Sequence, residues 1–558
     1  MTLTQEQQKI LNAVKRNEKI IKVNAFAGTG KTFTLTQIAQ NLPKYYKGLY
    51  LAFNKSIQEE AKTKFSKNIK VKTTHGLAYY YIIIKKMRNQ VKIGSEFKPL
   101  EIANTFGVDL QMGIDVCSRL ESFFNSDIDK IEPLNDSILE SEIVDIANML
   151  LDNMRNGFTD RVTHSFYLKE FELSLKNNKI KNFEKFDIVF LDEAQDTNNV
   201  TLSIFNNIPA KQKVLVGDKH QQIYAFRGSV NAMNKIKTKN VYYLTHSFRF
   251  PENIAYRAST FLKIFKNEEK PLIGKGETIN KIKTKAYLSR TNAKLIEKMI
   301  EIDELIDIRK DTNFKTIRHP DALFGLVLNL IKLFNEDEIE KEYKYLENVE
   351  SIEKYGEVKN LSDKLTLMAY DTNDVELLGS LNLINKFGEF KILDIYKIAK
   401  DFYTHLKNES VDWFLSTAHT SKGLEWDYVE LADDFDPIDI IAKWYVLNLF
   451  QNKSLTREAL FKIKDKLSIN NENLIEKIIS NINSEKKSYV ALANELNLYY
   501  VVITRAKQEF LSSDSFEYLY QKFLKEDFSK DYLIEHLNEI LKNKIISELE
   551  VLTRKTSN

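Results

Sequence analysis

The chain has 558 residues, 81 of them basic and 78 acidic, for a formal charge of +3. That length implies several domains, since one domain runs about 100–200 residues, and the near-neutral balance means that any nucleic-acid surface must be local. The lone Cys117 excludes a disulfide framework and a multi-cysteine zinc site, and no apolar run approaches the ~20 residues of a membrane helix.

The N-terminal stretch MTLTQEQQKI is polar and lacks a signal-peptide pattern. Together with the single thiol, which fits a reducing compartment, it sets the expectation of an intracellular protein; the abundance of Lys, Asn and Ile adds the expectation of a prokaryotic or phage-related origin, hence a cytoplasmic protein, or a nuclear one if eukaryotic. EKIIKVNAFAGTGKT (18–32) reads as a short strand, a small-residue loop and the start of a helix. KFDIVFLDEAQD (185–196) is a second buried strand that ends in acids, QKVLVGDKHQQIYAF (212–226) a third and VYYLTHSF (241–248) a fourth. Helical stretches alternate with them, as expected of a parallel sheet covered by helices.

From 78 to 165 the strand signals stop and helical periodicity takes over, as in ILESEIVDIANMLLDNM (138–154). A second α/β region begins near KAYLSR (285–290) and returns at VDWFLSTAHTSKG (411–423), WDYVELADD (426–434) and LYYVVITRAK (498–507). The expected order is therefore a first α/β domain over 1–77 and 166–275, split by a helical insertion at 78–165. A second α/β domain covers 276–310, 409–436 and 491–558, the last ending in a tail, with helical insertions at 311–408 and 437–490.

AFAGTGKT (25–32) has the spacing of a phosphate loop, with Ala25 where glycine is commoner. Ala27, Gly28, Thr29 and Gly30 form a tight turn that aims N–H groups at phosphate oxygens, and the helix that follows adds its positive end. Lys31 reaches the β- and γ-phosphates, and the Thr32 hydroxyl suits Mg²⁺. Asp192, in the LDEAQD that closes its strand, is the expected second Mg²⁺ group, and Glu193 the candidate base for the attacking water. Loop and acidic pair together point to a P-loop NTPase.

The whole motif series resembles the UvrD/Rep-like superfamily 1A DNA helicases, and among them the helicase core of the F-box DNA helicases. LTQEQQKIL (3–11), AFAGTGKT, FNKSIQEEA (53–61), TTHGLAY (73–79), LDEAQD, VGDKHQQIYAFRGS (216–229), LTHSFRF (244–250), LSRTN (288–292), TAHTSKGLEWDYV (417–429) and LNLYYVVITRAKQ (496–508) occur in the family's order. The resemblance implies two RecA-like parallel-sheet domains, with the insertions at 78–165 and 311–408 standing for the family's 1B and a reduced 2B domain. It implies ATP hydrolysis between the two sheet domains and 3′→5′ movement on single-stranded DNA, in repair, recombination or defence. It gives Gln7 and Phe248 to adenine, Glu425 to the ribose, Gln221 to γ-phosphate sensing, and Arg249 and Arg505 to the γ-phosphate.

A translocating protein grips the backbone with hydroxyls, amides and cations, and places aromatic faces under bases. At the family's DNA-contacting positions stand Phe53, Asn54, Lys55, Thr74, His75, Tyr224, Phe226, Arg227, Thr417 and His419. The Tyr79–Tyr81 run and the lysines of 55–72 are either part of this track or, respectively, core and a solvated helix face. Departures from the family pattern narrow the expectation. FNKS is one residue shorter than in the UvrD/Rep branch, and the stretch before TAHTSKG leaves space for only a small 2B domain. No F-box or zinc finger is expected before Leu3, nor a fused nuclease after Ser512. The expected partners are single-stranded DNA and single/double-strand junctions. Two other jobs stay open: a translocase that strips proteins from DNA, and a DNA-gated ATPase subunit working with a nuclease or repair factor.

Overall fold

The computed structural model describes residues 3–223, 230–266, 268–306, 313–351, 358–372, 374–435, 486–514, 516–517 and 521. The chain divides into two compact units, Met1–Ser247 and Phe248–Asn558.

The first unit is built on a six-stranded parallel sheet. Its strands are β1 (Ile20–Ala25), β2 (Gly48–Ala52), β3 (Ile69–Thr73), β4 (Phe186–Leu191), β5 (Ala210–Gly217) and β6 (Val241–Leu244). Their spatial order is β3-β2-β4-β5-β1-β6, every pairing parallel. Four of these strands are anticipated by the sequence; β2 and β3 are additions. Both sheet faces are buried, so side chains alternate between two apolar cores. Tyr50, Ile188, Phe190, Val214 and Val216 pack beneath the helices Gln5–Lys15, Lys31–Gln40 and Lys55–Lys64. Leu49, Leu51, Val189, Leu191 and Leu215 face the other way, into a core shared with the helices Leu110–Asn125, Ile138–Asn156 and His164–Lys176.

The helical stretch expected at 78–165 is thus continuous with the sheet's own core. A two-residue parallel pairing, Ile93–Gly94 with Val162–Thr163, pins its ends together. The lysine of helix His164–Lys176 that faces inward, Lys169, is fully buried, and its ammonium donates to Glu172 at 2.9 Å and to the Ser126 carbonyl at 2.9 Å. Ser203 Oγ donates to the same Glu172 at 2.6 Å, which fastens three helices through one satisfied charge pair.

The second unit carries a five-stranded parallel sheet of β7 (Lys285–Ser289), β8 (Phe314–Thr316), β9 (Trp413–Thr417), β10 (Trp426–Leu431) and β11 (Ala506–Leu511), in the order β8-β9-β7-β10-β11. Two features differ from the sequence expectation. Strand β8 lies inside 311–408, and Phe314, Leu323, Phe324, Ile392 and Ile395 share one core with Tyr287 and Leu415 of the sheet. Much of that stretch therefore belongs to the sheet domain; among the described residues a separate small core forms around Ile339, Leu346, Leu365 and Leu377. A three-residue edge strand is too short to show alternation, which is why the sequence pattern hides it.

The second difference is the boundary. Residues 248–275, expected in the first domain, fall in the second unit. There the helix Glu252–Lys266 is tied down by Asn253 Nδ2 donating to the Gln508 carbonyl at 3.0 Å, by Arg257 donating to Ser512 Oγ at 2.6 Å, and by Phe261 against Tyr499. The insertion expected at 437–490 lies outside the described residues except for the start of the helix Lys486–Ile503.

Candidate nucleotide site and nucleic-acid face

In a parallel sheet every strand delivers its following loop to the same edge, and ligands collect there. At the carboxyl edge of the first sheet, adjacent strands β4, β5 and β1 deliver the acidic pair, the VGDKHQQ segment and the phosphate loop. Gly28 and Gly30 both adopt left-handed backbone, with φ of 71° and 78°, which lets the loop turn sharply into the helix that starts at Lys31.

The charged side chains of this edge are cross-bonded. Lys31 Nζ meets Glu193 Oε2 at 2.7 Å, and Thr32 Oγ1 lies 3.4 Å from Asp192 Oδ2. Asp192 also accepts from the Tyr50 hydroxyl at 2.6 Å and from the Glu193 N–H at 2.9 Å. Gln195 Nε2 donates to Glu193 at 2.6 Å and to Asp196 at 3.0 Å, while Gln195 Oε1 accepts from the Asp218 N–H at 3.1 Å. Asp218 in turn accepts from Gln221 Nε2 at 3.0 Å, so the candidate sensor is linked to the candidate base through Asp218, by its carboxylate and its main-chain N–H, and the Gln195 side chain. Glu193 itself sits at φ 49°, a strained position for a residue with a side chain.

Burial raises the Asp192 pKa, and the neighbouring Glu193 charge raises it further. Burial also works against the Lys31 ammonium, but Glu193 and then Asp192 outweigh it and hold that pKa above the usual lysine value. A hydroxyl and a carboxylate facing each other form a donor set that fits Mg²⁺, which keeps several waters and takes substrate phosphate oxygens as further ligands. Gln7 is buried and closes a capping box with Thr4. A Cβ on Gly30 would stand 3.4 Å from Gln7 Nε2, so this amide lies against the phosphate loop. Glu6, beside it, accepts from the Thr245 N–H and hydroxyl, each at 2.8 Å, and so ties the first helix to the end of β6.

Strands β2 and β3 reach the same edge at its far side. Phe53, Asn54 and Lys55 follow β2, all exposed, and Thr74 and His75 follow β3. Asn54 Oδ1 caps the helix Lys55–Lys64 by accepting from the Ile57 N–H at 2.9 Å, and Thr74 is buried while His75 is exposed. The lysine strip separates into two groups. Lys62 pairs with Glu59, Lys64 with Glu60 and Lys70 with Glu184, whereas Lys55 opens the helix next to Phe53. The tyrosine run separates too: Tyr81 is buried against Phe171 and Phe183, Tyr79 meets Tyr167 edge-on, and Tyr80 is exposed with Lys85 Nζ 4.9 Å from its ring centre. Tyr224, Phe226 and Arg227 lie outside the described residues.

In the second unit Arg249, Glu425 and Arg505 form one cluster. Arg249 Nε pairs with Glu425 at 2.7 Å and its Nη1 donates to the Thr504 carbonyl at 3.0 Å. Arg505 is almost wholly buried; it donates to the carbonyls of Val501 at 2.9 Å and Leu424 at 3.1 Å, and so fixes the loop that carries Glu425. Phe248 beside them is half exposed. Thr417 closes β9 and donates to Thr420 Oγ1 at 2.9 Å, and His419 follows two residues later, half-buried. Tyr50, Gln195 and Asp218 bond the candidate residues, and the sequence alone does not single them out. Gln195 and Asp218 stand inside motifs of the series; Tyr50 carries no motif signal.

The sheet, the loop and the paired carboxylates define a P-loop NTPase. The profile described as "AAA domain" matches residues 7–227. The chain is 30% identical over 552 residues to F-box DNA helicase 1 of Gallus gallus, covering 93% of this chain and 49% of that protein. It is 26% identical over 572 residues to F-box DNA helicase protein 1 of Schizosaccharomyces pombe, covering 93% and 58%. A probable DNA helicase II homolog of Mycoplasma genitalium is 24% identical over 466 residues, covering 71% and 63%. The chain thus spans about half the length of the F-box relatives it matches. With the ordered motifs, these matches make the chain similar to DNA helicases of the UvrD/Rep-like kind. Among the described residues no helix is long and apolar enough to cross a membrane.

Proposed function

We propose that this chain is an ATP-dependent DNA helicase or translocase that moves 3′→5′ on single-stranded DNA. The observation that carries the reading is the edge of the first sheet, where an ATP-type phosphate site and a row of backbone-gripping side chains emerge from neighbouring strands. Lys31 stabilises the phosphates, and Thr32 with Asp192 holds Mg²⁺, which neutralises charge on the transferring phosphoryl group. Glu193 orients and deprotonates the attacking water. Because Lys31 and Glu193 are bonded to each other, Lys31 must leave Glu193 to reach a phosphate, and the base is released as the substrate engages. Gln221, through Asp218 and Gln195, relates that event to the neighbouring strands, and Arg249 and Arg505 supply positive charge to the γ-phosphate. Phe53, Lys55, His75, Thr417 and His419 hold the DNA without reading sequence.

Strand displacement on duplexes with a 3′ or a 5′ single-stranded tail tests the reading: unwinding from 3′ tails is expected, and unwinding from 5′ tails alone would overturn the polarity. The small size of the separate core around Leu346 and Leu377 favours a second reading, a motor that strips proteins from DNA and separates strands poorly. Displacement of a bound protein block without duplex unwinding would favour it.

A further inference from the structure

Strand β2 carries a residue that lies outside every motif of the series. Tyr50 is fully buried, its ring packs 4.7 Å from that of Phe65, and its hydroxyl donates to Asp192 Oδ2 at 2.6 Å. The Glu193 N–H holds the other carboxylate oxygen at 2.9 Å, so Asp192 is gripped on both sides. Thr32, at 3.4 Å, is the longer contact. Groups that hydrogen-bond a metal-binding carboxylate fix its orientation and tune its affinity.

The position of Tyr50 adds a second property. Only Leu51 and Ala52, both buried, separate it from Phe53, the first residue of the Phe53–Lys55 segment. Over those residues β2 is paired on one side with β3, Leu51 opposite Lys72 and Ala52 opposite Thr73, and on the other with β4, Leu51 opposite Leu191. Two buried residues in a central strand have little freedom to absorb a displacement. Strand β2 thus joins Phe53–Lys55 to the Tyr50 hydroxyl, and that hydroxyl to the carboxylate that follows Leu191.

We propose that Tyr50 is a positioning residue that sets the Asp192 carboxylate for its metal and couples it to the Phe53–Lys55 end of β2, so that bound single-stranded DNA raises the rate of ATP hydrolysis. The proposal rests on the functional reading above, which assigns Asp192 to Mg²⁺ and Phe53–Lys55 to DNA.

The test uses the full chain as wild type, Tyr50→Phe and a packing control, Phe65→Leu, which alters the same apolar contact without touching the hydrogen bond. Three quantities are read: the Mg²⁺ dependence of binding of a fluorescent ATP analogue, the affinity for an oligothymidine, and the ratio of ATPase rates with and without it. Tyr50→Phe is expected to need about 10-fold more Mg²⁺ for half-maximal nucleotide binding, in line with other groups that orient metal ligands. Its oligothymidine affinity should stay within about 2-fold, since the Tyr50 side chain is fully buried and its hydroxyl is held by Asp192, and its DNA stimulation should fall about 5-fold, the worth of one hydrogen bond near 1 kcal/mol. Phe65→Leu should lower the melting temperature and leave both ratios in place. Wild-type Mg²⁺ dependence and stimulation in Tyr50→Phe would overturn the proposal, as would the same shifts in Phe65→Leu. A wild type indifferent to oligothymidine would overturn the coupling and the functional reading together; failure of Tyr50→Phe alone leaves that reading intact.

Discussion

Strands β1, β4 and β5 end in side chains that bond one another, whereas β2 and β3, in the same sheet and at the same edge, lead into a mixed row in which Phe53, Lys55 and His75 keep exposed surface while Thr74 is buried. Lys31, Asp192, Glu193, Gln195 and Asp218 form a continuous chain of bonds between 2.6 and 3.1 Å. Phe53, Lys55 and His75 are exposed. The difference follows from what each ligand demands. Phosphoryl transfer is accelerated by charges fixed in advance in a site sheltered from water, while a track must meet a polymer that changes its bases at every step, using surface cations and ring faces. Fold and position are shared; the degree of cross-bonding is what separates the proposed reaction centre from the proposed gripping surface.

Substitutions at the two sides of the edge should therefore fail in different ways. The largest effect is expected for Lys31→Ala, which removes the loop cation and leaves Glu193 without its 2.7 Å partner. Its ATPase rate should fall by about 10²–10³, with oligothymidine affinity near wild type; a similar loss in both would erase the contrast. Gly217→Ala comes next, because a Cβ there would lie 2.4 Å from Gln195 Oε1 and 3.1 Å from the Gln195 nitrogen. It should displace the amide that holds Glu193 and slow turnover about 10-fold or more, with nucleotide binding retained, as checked by analogue titration.

On the other side, Phe53→Ala should weaken oligothymidine binding about 10-fold, the value of one base stacked on an aromatic ring, and leave the DNA-free ATPase unchanged. The smallest effect belongs to Lys55→Ala. It should lower the slope of log affinity against log salt by about 0.7, the change expected when one fewer phosphate of a single strand is neutralised. Lys62→Ala, whose parent lysine is already paired with Glu59, should leave that slope alone.

The proposed reaction centre is far more legible in the sequence than the parts that support it. Gly28, Gly30, Lys31 and Thr32 are consecutive or nearly so, and Asp192 and Glu193 are adjacent; short-range chemistry writes itself into a motif. Strands β2 and β3 are not anticipated, because GLYLA and IKVKT are brief runs beside stronger helical signals. The Tyr50–Asp192 bond spans 142 residues and depends on β2 lying next to β4, which no local pattern states. The unit boundary after Ser247 is hidden for a similar reason: the helix Glu252–Lys266 joins the second unit through Gln508 and Ser512, each 255 residues beyond its partner. Strand β8 escapes through its shortness alone. The lysine strip and the tyrosine run, ambiguous as sequence, are sorted by burial and by ion pairs within reach of each side chain.

That one sheet edge holds both a nucleotide site and a DNA track is the central claim, and the most direct measurement of it is the ATPase rate of the purified chain with and without a single-stranded oligothymidine. A rate that rises severalfold with the oligonucleotide, and loses that rise in Phe53→Ala at sub-saturating DNA, is the predicted result. An ATPase that runs equally fast with and without DNA at saturating concentrations would contradict it.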